Sequence, residues 1–481
     1  RIQRFERDHP SWQVSTVALR RWLPRQYRRY AELVAAAAND TRMPESTRAQ
    51  AISTLGRLPG VGRAAVEPFL GSESVLLQEA ALGALAWTDQ PELVLPVLLS
   101  HAGDDRARVA LYAAGRAARF ARPSTLAETF RPVLLGEGAK VTSRKEAARL
   151  LGVLRAEGAS EVLAEAWAGA HRDVRAAITS AASQHLLHEP EAWALLQEAV
   201  HDSPATAGAL IQRPALSISS QYRSRYADLL IAVTNRPESA TVGGALRSLA
   251  GWAPYNPAVA PVCAAFITDL ANRSQNWSDA ATALSVIVAS GRGRDELISV
   301  VRLLVRLESK PDVPNAEADR DHPARLRLRI LMGRLQDAVD WTSRQPLLDA
   351  AAELVAPEYL ALRIPPLIWA METTAPIAEL TAIADLIADR PTVIAASTDQ
   401  LHRRLLSAQG HLPPRVLLAP ATHLAGTGRA VDGHFSLALT QAATDHAGWS
   451  PEWRALLVDL RNHPVPDVRY AALDLRTALE F

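Results

Sequence analysis

The sequence is poor in several things that would each have pointed to a definite kind of protein. It holds one cysteine, Cys263, in the apolar run Ala260 to Leu270; one thiol excludes an internal disulfide framework and zinc-thiolate clusters, and its setting reads as an inert core position suited to a reducing cytoplasm. Aromatic residues make up only 5% of the chain although 48% is hydrophobic, so the apolar surface is chiefly Ala, Leu and Val, the set compatible with helices. No stretch alternates β-branched and polar residues between turn dipeptides, which leaves no clear strand. No run approaches the ~18 apolar residues of a membrane span, and the charged start RIQRFERDHP lacks the apolar centre of a signal peptide. A net charge of +1 gives the whole chain no bias toward nucleic acid or anionic lipid. A soluble, cytoplasmic protein is expected. Only Lys140, Lys145 and Lys310 are lysines among the 52 basic residues, an arginine bias that fits a GC-rich bacterial genome. The chain starts at Arg1 and first reaches methionine at Met43, which suggests a fragment or a processed product.

What is present is repetition. Segments that open with a charged residue and continue in small and aliphatic ones recur at Ser46 to Leu58, Ser74 to Ala86, Arg106 to Ala118, Thr142 to Leu154, His171 to Ser183 and Pro466 to Leu479. Anchored on Arg48, Leu77, Arg108, Arg144 and Arg175, they lie 29, 31, 36 and 31 residues apart, a period of one helix pair per repeat. Short amphipathic segments such as Glu161 to Gly169 and Glu191 to Val200 fill the intervals. A pair of helices of ~10 residues cannot bury enough surface alone, so each pair must stack on its neighbours. The expected fold is all-α, a solenoid of stacked antiparallel helix pairs, with about ten pairs or more. Prolines at 24, 44, 190, 204, 323, 391 and 451, among others, stand where helices should begin.

These segments, and HPVPDVRYAALDLR at 463 to 476 above all, resemble HEAT repeats of the short bacterial kind found in the phycobilisome-lyase-like group. The resemblance implies a hydrogen-bonded ladder between adjacent repeats made by an Asp and an Arg near the start of each second helix. It would assign Asp104 with Arg108, Asp173 with Arg175, and Asp467 with Arg469. The organisation read from the chain is a basic N-terminal cap or continuation of an upstream repeat over 1–43, regular repeats over 44–202, degenerate repeats over 203–307, an acidic loop over 308–322, and C-terminal repeats over 323–481 ending in a HEAT-like one. That loop carries Glu308, Asp312, Glu317, Asp319 and Asp321 against Lys310 and Arg320. It lacks the glycine turn and terminal glutamate of an EF-hand and reads as a solvated connection.

No motif carries catalysis. His185 and His188 with Glu189 have the wrong order for a zinc-protease signature, and the glycine-rich stretches at 134–143, 290–296 and 426–434 lack the P-loop spacing. No nucleophile elbow or Cys/His pair is found, so no catalytic residue, metal or cofactor is expected. The one biased segment is the first 30 residues, where eight arginines face Glu6 and Asp8. Arg20, Arg21, Arg25, Arg28 and Arg29, beside Trp12, Trp22, Tyr27 and Tyr30, are the candidate partner-binding set, for an acidic protein surface or a phosphate backbone.

The leading functional reading is a non-catalytic scaffold or sensor module that holds a protein or peptide, as the repeat region of a larger bacterial signalling or defence protein. The second is a nucleic-acid-binding protein like the HEAT-like DNA glycosylases, and the third a chromophore lyase or chaperone suggested by the repeat resemblance alone. Architecture of this kind leaves the choice to the sites it carries.

Overall fold

The computed structural model describes residues 21–103, 105–136, 138–272, 274–308, 322–339, 343–373, 376–408 and 413–477. These residues form 26 α-helices with short 3-10 turns and no strand. The chain divides after Thr241 into two compact units, Arg1–Thr241 and Val242–Phe481.

In the first unit the helices are α1 (Pro24–Asn39), α2 (Glu45–Leu55), α3 (Gly62–Val66), α4 (Val75–Leu85), α5 (Leu95–Ser100), α6 (Ala107–Ala117), α7 (Pro123–Leu135), α8 (Val141–Val153), α9 (Ala159–Ala168), α10 (Arg172–His185), α11 (Pro190–Asp202), α12 (Pro204–Ile211) and α13 (Ser220–Val233). The even-numbered helices pack one on the next from α2 to α12, and α5, α7, α9, α11 and α13 do the same on the other side, while each pair closes on itself through a short connection. The result is an α-solenoid with one layer of first helices and one of second helices. Burial follows the periodicity. In α10 the buried apolar residues Val174, Ile178, Ala181 and Ala182 mark one stripe, and each fully buried Val or Ile contributes about 1.5–3 kcal/mol.

Helix α14 (Ser239–Leu249) spans the division between the units. The second unit continues with α15 (Val259–Thr268), α16 (Asn276–Ala289), α17 (Arg294–Glu308), α18 (Pro323–Ala338), α19 (Gln345–Ala352), α20 (Leu360–Ala370), α21 (Ile377–Ile387), α22 (Pro391–Ser407), α23 (Arg415–Gly426), α24 (Ala430–Ala447), α25 (Pro451–Arg461) and α26 (Pro466–Asp474). Here α16, α18, α20, α22, α24 and α26 form the continuous row, and from Leu360 to Ala472 their buried faces make one apolar cluster with their partners. The segment 308–322 falls between α17 and α18, and residues 309–321 lie outside the described residues. Its two ends are fastened together: Glu308 accepts from Arg325 and, at 2.8 Å, from the Tyr359 hydroxyl.

The prolines act as the sequence suggests. Pro24, Pro190, Pro204, Pro323, Pro391 and Pro451 are each the first residue of a helix, where the missing N–H is one that has no intrahelical acceptor. No helix among the described residues is long and apolar enough to cross a membrane.

Candidate functional site

Of the arginines singled out in the N-terminal segment, Arg20 lies outside the described residues, and Arg21, Arg25, Arg28 and Arg29 are exposed. Arg29 is paired with Glu32 at 2.9 Å. Trp22 is engaged edge-on by Tyr27 and Tyr30, with ring centroids 5.8 and 5.3 Å away, so these aromatics pack on one another beside the helix start.

Arg175 donates to the carbonyls of Trp167 and Ala168, each at 3.0 Å, and its carboxylate partner is Asp202 at the end of α11. Asp173 instead faces Arg172 at 3.7 Å and His171 at 3.9 Å. Arg469 reaches the carbonyls of His463 and Pro464, at 2.7 and 2.9 Å, and Asp467 is exposed. The guanidinium carbon of Arg108 lies 5.9 Å from the Tyr112 ring, and Asp104 lies outside the described residues. The same use of arginine recurs at two repeat anchors, where Arg48 donates to Ala38 and Arg144 to Leu134 at 2.9 and 2.7 Å. Arg48, Arg144 and Arg175 thus satisfy carbonyls left open in the last turn of the first helix, where a cation is also favoured by the helix dipole.

A second arginine row stands at the C-terminal ends of the second helices. At the ends of α2, α4 and α6, Arg57 and Arg116 approach the Trp87 ring to 4.4 and 3.5 Å, and Arg116 also donates to the Ala86 carbonyl at 3.1 Å. Trp87 remains 45% exposed. Cation–π contacts at such a surface contribute about 0.5–1 kcal/mol each, so they order the edge more than they stabilise the fold.

Further along this edge, two clefts adjoin at Gln184 and His185. One, of about 410 Å³, lies between α8 and α10 and is lined by Lys145, Glu146, Arg149 and Ser180. The other, of about 280 Å³, lies between the end of α10 and the α12–α13 connection and is lined by Arg155, Ser183, His188, Ser217, Ser219 and Tyr222. Their junction depends on Gly152, where a Cβ would stand 3.0 Å from Ala181 Cβ and 3.2 Å from His185 Cδ2. Tyr222 is held by Trp193, whose indole N–H donates to Leu187 at 2.8 Å.

The charge here is uneven. Arg149 is paired with Glu146 at 2.8 Å, and His188 stands 3.5 Å from Glu189. Arg155 has no ion pair or side-chain hydrogen bond among the described residues, and Arg213 has a buried Nε without an acceptor there, its guanidinium reaching the Ser217 carbonyl at 3.5 Å. Burial, together with the positive charge of Arg213, Arg155 and Arg149, holds the His185 imidazole below the usual histidine range, which favours its neutral form at pH 7.

Arg155 is also the only non-glycine residue with positive φ, at 50°, among the described residues. Its N–H bonds to Gly152 and that of Ala156 to Leu151, at 3.0 and 3.1 Å, the two bonds of a Schellman ending for α8. Glycine is the usual occupant of that position, and an L side chain costs roughly 1–2 kcal/mol there. Arg155, Arg213 and Trp87 carry no motif in the sequence. A lone arginine after a helix gives no signal unless the left-handed turn is known, and Arg213 joins the group only through stacking of the pairs.

Cys263 is fully buried, and burial pushes its thiol up to about 12. Native protein should therefore resist iodoacetamide at pH 8 and be labelled only as fast as it unfolds; prompt modification without denaturant would contradict that burial. Among the described residues no group of three or more His, Cys, Asp or Glu is arranged to hold a metal ion.

No protein family model matches the chain, and no curated protein matches it. Solved structures do. The karyopherin Kap121p bound to the SUMO protease Ulp1p matches at 13% identity over 94% of this chain and 49% of that one, with a TM-score of 0.49. Kap121p bound to Pho4p matches at 12% identity over 98% and 54%, with a TM-score of 0.48. An engineered protein matches at 14% identity over 92% and 97%, with a TM-score of 0.27. The chain spans about half the length of the Kap121p structures.

Proposed function

We propose that the chain is a non-catalytic scaffold that holds a protein or peptide partner along the C-terminal edge of the second helices in its first unit. One observation carries the reading: Arg57, Trp87, Arg116, Arg155, His185 and Arg213 recur at that edge from repeat to repeat, several with charge or aromatic surface left uncommitted. Helix ends already favour cations, so part of the row is explained by capping, as for Arg116. Arg155 and the exposed face of Trp87 are left over by that explanation. Aromatic and arginine side chains are also those most often central to protein interfaces.

The test is affinity capture with the full chain as bait, comparing the wild type with a Trp87→Ala, Arg155→Ser double variant of equal melting temperature. A discrete partner retained by the first and lost by the second supports the reading. A partner retained equally by both, or by neither, removes this edge as the binding surface.

The arginine set Arg20, Arg21, Arg25, Arg28 and Arg29 is proposed as a separate contact for an acidic partner. A nucleic-acid reading is favoured only by the Trp22, Tyr27 and Tyr30 cluster on the same segment as Arg21, Arg25, Arg28 and Arg29. It requires salt-dependent DNA binding that disappears when the five arginines are replaced.

A further inference from the structure

We infer that the smaller cleft, between the end of α10 and the α12–α13 connection, is a receptor for a phosphate monoester on a partner peptide, with Arg155 and Arg213 as its charge partners. The inference rests on the scaffold reading and gives it a ligand chemistry. Three independent features converge on the cleft. Arg155 keeps an arginine at a turn position whose backbone, φ 50°, favours glycine, so the fold forgoes stability to present that guanidinium. Strain retained in this way is a mark of functional positions. Arg213 is not part of the cleft wall but stands beside it, 3.5 Å from the carbonyl of the lining residue Ser217, and brings a second guanidinium whose buried Nε has no acceptor among the described residues. The lining adds Gln184 and Ser219 as neutral donors around a space of about 280 Å³, while the Ser183 and Ser217 hydroxyls already donate to the Ser180 and Pro214 carbonyls.

The charge count selects the ligand. Three nearby carboxylates are already committed, Glu146 to Arg149, Glu189 to Ser160 and His188, and Asp202 to Arg175, and Glu157, two residues beyond Arg155, is exposed and forms no ion pair among the described residues. Two guanidiniums without a carboxylate match the nearly two negative charges and three acceptor oxygens of a phosphate monoester, whereas a single carboxylate would leave one of them uncompensated. His185 lines the same cleft; burial is the first reason its pKa lies low, and an anion would offset the second, the positive charge of Arg213, Arg155 and Arg149. Gly152 keeps α8 and α10 close enough for His185 to sit at the junction of the two clefts.

The experiment uses the full chain and a fluorescent peptide bearing one phosphoserine among Gly and Ala residues, with its unphosphorylated and Glu counterparts, read by anisotropy. The phosphoserine peptide should bind at least tenfold more tightly than either counterpart. Arg155→Gly should weaken it at least tenfold while raising the melting temperature, because glycine relieves the left-handed turn. Arg213→Gln should weaken it similarly, and Arg155→Lys should restore part of the affinity. A variant that binds worse while folding better separates recognition from structural support. Equal binding of all three peptides, or undiminished binding by Arg155→Gly, would overturn the inference. Displacement by millimolar inorganic phosphate with no preference for the peptide would overturn the peptide source, and displacement by oligo-dT at equal phosphate would assign the cleft to a nucleic-acid backbone instead. If the capture experiment retains an edge-dependent partner while phosphoserine fails to bind, the phosphate site falls and the scaffold reading stands.

Discussion

Replacing Arg327 with methionine is expected to lower the stability of the second unit by about 3 kcal/mol, against about 1 kcal/mol for loss of an ordinary hydrogen bond. Arg327 is 4% exposed, and its guanidinium donates to the carbonyls of Ile267, Asp269 and Asn272 at 2.9, 2.7 and 2.7 Å. These carbonyls belong to the end of α15 and the turn after it, where no further N–H of the helix is available. One side chain from α18 therefore closes the end of another helix. Burial lowers the Arg327 pKa, which is the sign that the charge has given up hydration, so removing it recovers part of the loss. The three acceptors, left without a donor at about 1–3 kcal/mol each, outweigh that recovery. Methionine keeps most of the volume and isolates the polar term. Lysine should rescue less than half, since a single ammonium lacks the planar fork that reaches three acceptors. Urea unfolding followed by tryptophan fluorescence reads the difference; a change below about 1 kcal/mol would mean that water replaces the guanidinium.

Gly56→Ala has an expected sign opposite to the one helix propensity gives. Gly56 caps α2 with an ordinary φ of −57°, and alanine is favoured over glycine in helices by about 1 kcal/mol. A Cβ there would stand 2.8 Å from Ala84 Cβ and closer still to the Ala84 carbonyl oxygen. That oxygen is part of α4 and can move only with the helix. Overpacking of this kind costs about 1–3 kcal/mol, so a net loss of about 2 kcal/mol is expected, a value near the middle of the same range. Gly83→Ala is the control: it lies within α4 with nothing within 4 Å of the added carbon, and should stabilise by about 0.5–1 kcal/mol. Equal stabilisation by both substitutions would show that α2 and α4 are not in this close contact.

The repeat was legible in the sequence because the same period that spaces the anchors also spaces the contacts. Ser74 meets Glu45 and Ser160 meets Glu189 at a separation of 29 residues, Arg116 meets the Ala86 carbonyl at 30, and Arg131 meets Glu165 at 34. Helix starts were legible too, because proline at the first position acts locally. The partners of the anchor arginines were not. Arg175 has Asp173 two residues away in sequence, yet it takes Asp202, since residues two apart on a helix point to different sides while α11 brings its end alongside. The link between Arg327 and residues 267 to 272 was obscure for a related reason: one side chain replaces several local caps at once, and no short motif records a bond 55 to 60 residues long.

The amino-acid sequence alone determined that the chain is built of helix pairs and that each pair needs neighbours, because apolar period and proline placement are local and too little surface is buried within one hairpin. Tertiary structure decided which charges are spent and which are left over. Glu146, Glu189 and Asp202 are committed within the repeats while Arg155 and Arg213 are not, and that difference arises from distances across stacked helices, which fall off as contacts do and leave no trace in the order of residues.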